Sequence, residues 1–219
     1  MQILLNKFRN EELIPGQSNP VSDEVSNVRK LIYKCPVYVK TPLHDCKVLA
    51  KSLGVKSLYI KDERPRMGLG SFKALGATYA IAKEAAKSAL INESPNKALI
   101  GKTFITASAG NHGLSLAAGA RIFGASAVVY LSETVPQKFA EALRGEGAEV
   151  VIEGEDYDAS VKAASKRAAQ ESWNLLSDST WEGYSAGYDV MEGYLMMPQE
   201  AFEESPTSPT HIFLQAGVG

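Results

Sequence analysis

The sequence contains few of the residues that build disulfide frameworks or metal centres. It has two cysteines, Cys35 and Cys46, and three histidines, His44, His112 and His211. Neither set has the spacing of a metal-ligand motif, and two cysteines do not suggest a disulfide scaffold. We therefore expect no metal site, and we expect reduced cysteines of the kind found in cytosolic proteins.

The sequence also lacks long apolar runs and a strong excess of either charge. No run approaches the length of a membrane-spanning helix, and the apolar stretch after Met1 is too short for a signal peptide. The formal net charge of −2 lacks the excess of positive charge that binding to nucleic acid or to an anionic membrane requires. The hydrophobic fraction of 45% is enough to form a sizeable core. Together with the charge and the lack of long apolar runs, it leads us to predict a cytoplasmic α/β protein with no nucleic-acid or membrane partner.

Apolar segments with strand character alternate with segments of helical periodicity along the chain. Short links join these segments, so the alternation predicts parallel strands with helices on both faces of the sheet. The predicted strands cover residues 55–60, 102–106, 126–131, 148–152 and 210–215, and the predicted helices cover residues 44–53, 71–88, 114–123, 136–145 and 157–172.

The first chemical candidate is Lys73, in the segment Gly70-Ser-Phe-Lys-Ala-Leu-Gly-Ala77. It lies near the start of a predicted helix, where the helix dipole disfavours a cation and so favours the neutral, nucleophilic amine. A neutral amine is what a Schiff-base lysine needs. An ordinary solvated lysine fits the same position, so this segment alone does not decide between the two.

Two glycine-containing turns are candidates for binding anions. The turn Thr106-Ala-Ser-Ala-Gly-Asn-His-Gly113 connects a predicted strand to a predicted helix, and the N–H groups at a helix start bind carboxylates or phosphates. Its small residues let a ligand approach the backbone, and Asn111 adds a side chain that can donate or accept a hydrogen bond. The segment Gln215-Ala-Gly-Val-Gly219 follows an apolar strand, which is the general form of a phosphate cradle. A plain connection between elements would look similar in both cases.

Taken together and in this order, these segments resemble the fold-type-II pyridoxal-phosphate (PLP) enzymes, which include threonine dehydratase, serine racemase, cysteine synthase and the tryptophan synthase β chain. The conjunction is far more specific than any single part. Five motifs of that family are present: Thr41-Pro-Leu43, Lys61-Asp-Glu63, Ser71-Phe-Lys73, Ser108-Ala-Gly-Asn-His112 and Gly217-Val-Gly219.

One branch of the family resembles the chain more closely than the others. The segment Asp178-Ser-Thr-Trp-Glu-Gly-Tyr184 is similar to a segment of the diaminopropionate ammonia-lyases, and residues 209–219 are similar to the approach of those enzymes to their phosphate loop. This resemblance implies α,β-elimination on a small amino acid of the diaminopropionate, serine or threonine type, which gives a keto acid and ammonia.

The resemblance also implies roles for particular residues. Lys73 would hold PLP as a Schiff base and act as the proton-transfer base, and Asn111 would hydrogen-bond the phenolic oxygen of PLP. The turn that would bind the substrate carboxylate consists of Ser108, Ala109, Gly110, Asn111 and His112. The residues that would begin the phosphate cradle are Gly217, Val218 and Gly219.

Two features depart from the diaminopropionate ammonia-lyase branch. The residue before Gly-Asn-His is an aspartate in that branch, where it resembles a second base for the D-isomer, and here it is Ala109. Because alanine cannot transfer a proton, we expect an elimination specific for the L-isomer. The sequence also stops at Gly219 inside the expected glycine loop, whereas family members are considerably longer, so we expect the C-terminal part of the large domain to be missing.

The fold expected from the resemblance is α/β, with two domains that each contain a parallel sheet flanked by helices. Residues 1–44 and 156–219 would belong to the large PLP-binding domain, and residues 45–155 would form a small inserted domain, with the ligand between them. Two alternatives to the lyase stay open, a β-replacement synthase that uses PLP and a catalytically silent interaction subunit. A homodimer also stays open, because the family often forms dimers.

Overall fold

The computed structural model describes residues 21–214, which contain eight α-helices and six strands. The strands are β1 (Leu43–Asp45), β2 (Tyr59–Lys61), β3 (Thr103–Ala107), β4 (Ser126–Leu131), β5 (Glu149–Ile152) and β6 (Asn174–Leu175). The helices are α1 (Val25–Ile32), α2 (Lys47–Leu53), α3 (Lys73–Ala85), α4 (Asn111–Phe123), α5 (Gln137–Gly145), α6 (Tyr157–Glu171), α7 (Ala186–Gly193) and α8 (Met196–Glu204). None of these described helices is both long enough and apolar enough to cross a membrane.

Four parallel strands form the main sheet in the order β5-β4-β3-β6. β3 pairs with β4 along its whole length, and on its other side Ile105 lies opposite Leu175 of the short edge strand β6. β1 and β2 form a separate antiparallel pair, which the sequence analysis did not predict. The expected α/β class, with a parallel sheet flanked by helices, is confirmed.

Side chains alternate between the two faces of the sheet. Phe104 and Val129 pack in a core with α3, α4 and α5, whereas Ile105 and Val128 pack against α6 on the opposite face. Both faces are therefore covered, and a strand buried on both faces needs a continuous apolar sequence. This is why β4 reads as an uninterrupted apolar run.

Two strand predictions and two helix starts are wrong. Residues 55–58 are not in a strand, because the Val55 N–H still donates to the carbonyl of Ala50 in α2 and only β1, which has three residues, is available as a partner. Residues 210–214 are also not in a strand, since no described strand lies beside them. The helix expected from residue 44 begins at Lys47, because residues 43–45 pair in β1. The helix expected from residue 114 begins at Asn111, because the Leu114 N–H already donates to the carbonyl of Gly110 at 3.3 Å.

The division into two domains stays a prediction. The main sheet continues past residue 155, because α6 packs on it and β6 extends it. The first 20 residues of the expected N-terminal segment lie outside the described residues, and so do Gly217, Val218 and Gly219 of the expected phosphate cradle.

Helix α3 is packed tightly against its two neighbours. The Ser115 hydroxyl of α4 donates to the carbonyl of Ala74 in the first turn of α3, at 3.1 Å. On the other side, α7 approaches so closely that a Cβ on Gly193 would lie 2.6 Å from the carbonyl oxygen of Leu75. These contacts fix the helix end at which Lys73 lies.

Candidate active site

Lys73 is the first residue of α3, as the sequence predicted. The loop before it contains Gly70 at φ +83°, a conformation that other residues rarely adopt. Phe72 occupies the N-cap position expected for Ser71, but the Ser71 hydroxyl still accepts the N–H of Lys73 at 3.3 Å. The Lys73 side chain is 31% exposed, so its amine is accessible to a small molecule.

The amine of Lys73 contacts a carboxylate that is distant in sequence. Nζ lies 2.5 Å from Oδ2 of Asp178, whose side chain is 15% exposed. Burial raises the pKa of Asp178, but the neighbouring groups of His112 and Lys73 lower it by more, so the carboxyl pKa lies below its ordinary value. Asp178 is therefore an ionised acceptor beside the lysine amine.

The turn between β3 and α4 presents backbone donors. The Ser108 hydroxyl accepts the N–H groups of Gly110 and Gly113, at 3.3 and 3.1 Å. Within residues 21–214, the N–H groups of Asn111 and His112 have no hydrogen-bond partner, and the Asn111 side chain is exposed. Two unpaired donors at a helix start can bind an anion, and anion binding at this turn stays a prediction.

The side chain of His112 does not face solvent. It is 1% exposed, and Nε2 lies 2.9 Å from the carbonyl oxygen of Leu176, so Nε2 carries the proton and donates. Burial lowers the pKa of His112, and Nδ1 is buried without a hydrogen-bond partner among the described residues. Of the groups of His112, the backbone N–H is therefore the one available to a ligand at this turn.

The sheet brings these groups together. β3 and β6 are neighbouring parallel strands, so the Ser108 turn and the segment that contains Asp178 both follow strand ends at the same edge of the sheet. The bond from Ser115 to Ala74 places the start of α3 beside α4. The turn, the carboxylate and the lysine consequently meet in one place.

Asp178 is a candidate functional residue to which the sequence analysis gives no role beyond its place in the motif that resembles the ammonia-lyases. Two signals could have identified it, its position after a short apolar segment and its place in the motif that ends at Tyr184. Neither signal indicates that Asp178 approaches Lys73, because the two residues are 105 positions apart.

The described groups fit a cofactor that carries both an aldehyde and anionic oxygens. The accessible amine of Lys73 can react with an aldehyde, and the unpaired N–H groups of Asn111 and His112 can bind a carboxylate or phosphate oxygen. This lysine, together with a turn at the carboxyl edge of a parallel sheet, is typical of an α/β enzyme that binds PLP. The chain belongs to the family of pyridoxal-phosphate dependent enzymes, whose family model matches residues 35–219.

Within this family the chain is similar to diaminopropionate ammonia-lyases. It is 39% identical to that of Salmonella typhimurium over 203 residues, which cover 85% of this chain and 50% of the relative. It is 36% identical to that of Escherichia coli over 225 residues, which cover 98% of this chain and 56% of the relative. The chain thus spans about half the length of the curated relatives it matches.

The fold is also similar to that of a solved enzyme. The structure of the Escherichia coli diaminopropionate ammonia lyase in complex with D-serine superposes with a TM-score of 0.86 at 35% sequence identity. The match covers 98% of this chain and 57% of that one.

Proposed function

We propose that this chain carries the catalytic lysine and the substrate-binding turn of a PLP-dependent ammonia-lyase. The reaction would be α,β-elimination on a small amino acid of the diaminopropionate, serine or threonine type, giving a keto acid and ammonia. The observation that supports this proposal best is the contact between Lys73 and Asp178 beside the unpaired N–H groups of α4. The similarity to diaminopropionate ammonia-lyases gives the proposal its substrate class.

Each part of the cofactor has a candidate partner. Lys73 would hold the aldehyde carbon of PLP, and the exposed Asn111 amide would bind its phenolic oxygen. The phosphate would be held by the glycine loop of Gly217, Val218 and Gly219. When bound, PLP withdraws electrons from the α-carbon of the substrate.

Lys73 and Asp178 together can carry the protons that an elimination requires. One proton leaves the α-carbon of the substrate, and one proton joins the leaving amine or hydroxyl group. We propose that Nζ of Lys73 removes the first proton, and that the ionised Asp178 carboxylate, 2.5 Å away, receives or returns it. The lowered pKa of Asp178 keeps its carboxylate ionised at neutral pH, so it can hold a proton only transiently before passing it on.

The turn from Ser108 to His112 would orient the substrate. Its free N–H groups at Asn111 and His112 would bind the substrate carboxylate, and the small Ala109 leaves room beside them. Because Ala109 has no proton-transfer group, we propose that the reaction is specific for the L-isomer. A homodimer and a cytoplasmic location belong to the same proposal, and the free thiols of Cys35 and Cys46 are consistent with a reducing compartment.

The cofactor part is tested by titrating the purified chain with PLP and recording visible absorbance. Borohydride treatment followed by peptide mass spectrometry then locates any adduct. We expect an absorbance shift and an adduct on Lys73, both absent in Lys73→Ala and both present in Lys87→Ala, which loses an exposed lysine near the end of α3. Absence of both signals in the unmutated chain would leave the silent-subunit alternative.

The reaction is tested by measuring keto acid formation from L-serine, L-threonine and L-diaminopropionate without an added nucleophile. We expect one keto acid and one ammonia per L-serine or L-threonine consumed. For L-diaminopropionate we expect one keto acid and two ammonia, because its leaving group is itself an amine. Turnover that appears only after addition of a thiol or another nucleophile would instead support the β-replacement synthase.

A further inference from the structure

Little regular structure holds Asp178 in place. The strand before it, β6, has two residues and lies at the edge of the main sheet. Alternate backbone groups of a strand point to opposite sides. Leu176 uses the inner side, where its N–H donates to the carbonyl of Ile105 in β3 at 2.9 Å. The carbonyl of Leu175 and the N–H of Ser177 therefore face outward, where a further strand would otherwise pair with them.

The hydroxyl of Tyr184 takes the place of that further strand. It accepts the N–H of Ser177 at 2.8 Å and donates to the carbonyl of Leu175 at 3.1 Å. One side chain thus satisfies both outward groups of the segment immediately before Asp178. Burial raises the pKa of Tyr184 to about 12, so the hydroxyl keeps the proton that it donates.

Tyr184 is itself fixed by a tight turn. Its N–H donates to the carbonyl of Trp181 at 2.9 Å, and Gly183 allows the turn with φ at +83°. The rings of Trp181 and Tyr184 stack with centroids 4.1 Å apart and planes 16° apart. The motif from Asp178 to Tyr184 therefore forms a loop whose last residue binds the backbone just before its first residue.

On the inner side, a second side chain holds the same segment. The carbonyl of Leu176 accepts the Nε2–H of the buried His112, which lies in the first turn of α4. The inner groups of the segment are thus tied to β3 and α4. Among residues 21–214, in contrast, Tyr184 alone makes the two outward hydrogen bonds.

We propose that Tyr184 is a positioning residue that sets the Asp178 carboxylate against the Lys73 amine. Its hydroxyl fixes the outer side of residues 175–177. Without it the segment keeps its inner hydrogen bonds to β3 and α4 but loses both outer ones, so the position of Asp178 relative to α3 is less well fixed. The catalytic meaning of this inference depends on the proposed function, but the positioning itself does not.

The test is the energetic coupling between Lys73 and Asp178 in the chain without cofactor. The free energy of unfolding is measured for four proteins: the parent, Lys73→Met, Asp178→Asn and the double variant. The difference between the effect of the double variant and the sum of the two single effects is the coupling energy. The same four proteins are then prepared with Tyr184→Phe, which removes the hydroxyl and keeps the ring. We expect the coupling to fall to less than half of its parent value.

The matched control is Tyr188→Phe, which removes a hydroxyl from a nearby tyrosine that has no hydroxyl partner among the described residues. The coupling should keep its parent value in that background. If Tyr184→Phe lowers overall stability but leaves the coupling unchanged, Tyr184 has only a structural role and the proposal is overturned. A failure of PLP binding would not change this result, so the two proposals fail separately.

A second measurement uses the unmutated chain and does not depend on any variant folding. If Tyr184 binds the Ser177 N–H, that amide should exchange with solvent at least about tenfold more slowly than in an unfolded peptide. Exchange of the Ser177 amide at the unfolded rate would mean that the hydrogen bond is absent, and it would overturn the proposal as well.

Discussion

Replacing Glu200 by glutamine should lower the free energy of unfolding by about 3 kcal/mol. Glu200 lies in α8, and its side chain is fully buried. It accepts hydrogen bonds from both terminal nitrogens of the buried Arg66, at 2.7 and 2.8 Å, and from the Tyr38 hydroxyl at 2.6 Å. Nζ of Lys61 lies 2.9 Å from the same carboxylate. A neutral amide would remove the carboxylate that these cations share, and would leave Arg66 with Glu63 and Lys61 with Glu204 as their remaining acidic partners.

Two arguments give the same magnitude. Removing one partner of a buried ion pair typically costs about 3–5 kcal/mol, because the remaining charge is left uncompensated. Burial raises the pKa of Glu200, but hydrogen bonds from Arg66, Tyr38 and Lys61 outweigh it and lower the pKa from 4.5 to about 2. A pKa difference of that size corresponds to about 3 kcal/mol of folding free energy.

The pKa shift also fixes the direction of the pH dependence. The folded pKa of Glu200 lies below its ordinary value, so the unfolded state binds the proton more readily than the folded state does. The stabilisation is therefore fully present above pH 4.5 and is lost as the pH falls from 4.5 towards 2. Glu200→Gln should lose less stability than the parent over that interval.

The assay is urea unfolding at 25 °C, followed by circular dichroism, at neutral pH and at several values below pH 4.5. The matched control is Glu203→Gln, one turn further along α8, whose carboxylate and whose partners Arg29 and Lys40 are all partly exposed, at 32%, 35% and 42%. Ion pairs in contact with water are screened, so this control should change little. A loss for Glu200→Gln no larger than for Glu203→Gln would refute the reasoning.

Three further predictions concern the site and the helix behind it. Asp178→Asn should lower kcat by about 10²–10⁴ while PLP absorbance is kept, and unchanged kcat would exclude Asp178 from proton transfer. Ala109→Asp should add turnover of D-serine, measured as keto acid, at least about tenfold above the parent, and no gain would mean that this position cannot reach the α-carbon of the D-isomer. Gly193→Ala should lower the free energy of unfolding by about 1–3 kcal/mol, and with it the melting temperature, because the new Cβ would meet the Leu75 carbonyl at 2.6 Å. Gly145→Ala is its control, because nothing lies within 4 Å of a Cβ there, and equal melting temperatures for the two variants would contradict the expected clash.

The sequence predicted elements well where one local property decides them. The predicted strand 126–131 coincides with β4, because burial on both faces leaves a continuous apolar run. Gly54 and Gly124 end their helices in the left-handed region, at φ +68° and +74°, which glycine adopts without strain. Lys73 was also correctly predicted at a helix start.

Elements that depend on distant partners were not predictable in this way. β6 has two residues, and they form a strand only because β3 provides the pairing. The strand β1 likewise has only three residues and no strand pattern of its own, whereas Tyr59 and Ile60 of its partner β2 lie within the predicted strand 55–60. The contact of Asp178 with Lys73 depends on that edge strand and on packing of α3, so no local pattern at either residue could indicate it.

The two halves of the site are held by different parts of the fold. Lys73 is positioned by α3, which is fixed by the Ser115 bond and by the close approach of Gly193. Asp178 is positioned by the edge strand β6 and by the hydroxyl of Tyr184. Loss of that hydroxyl should therefore move the carboxylate while the lysine stays accessible to an aldehyde. We therefore expect cofactor attachment at Lys73 and proton exchange with Asp178 to be separable by mutation.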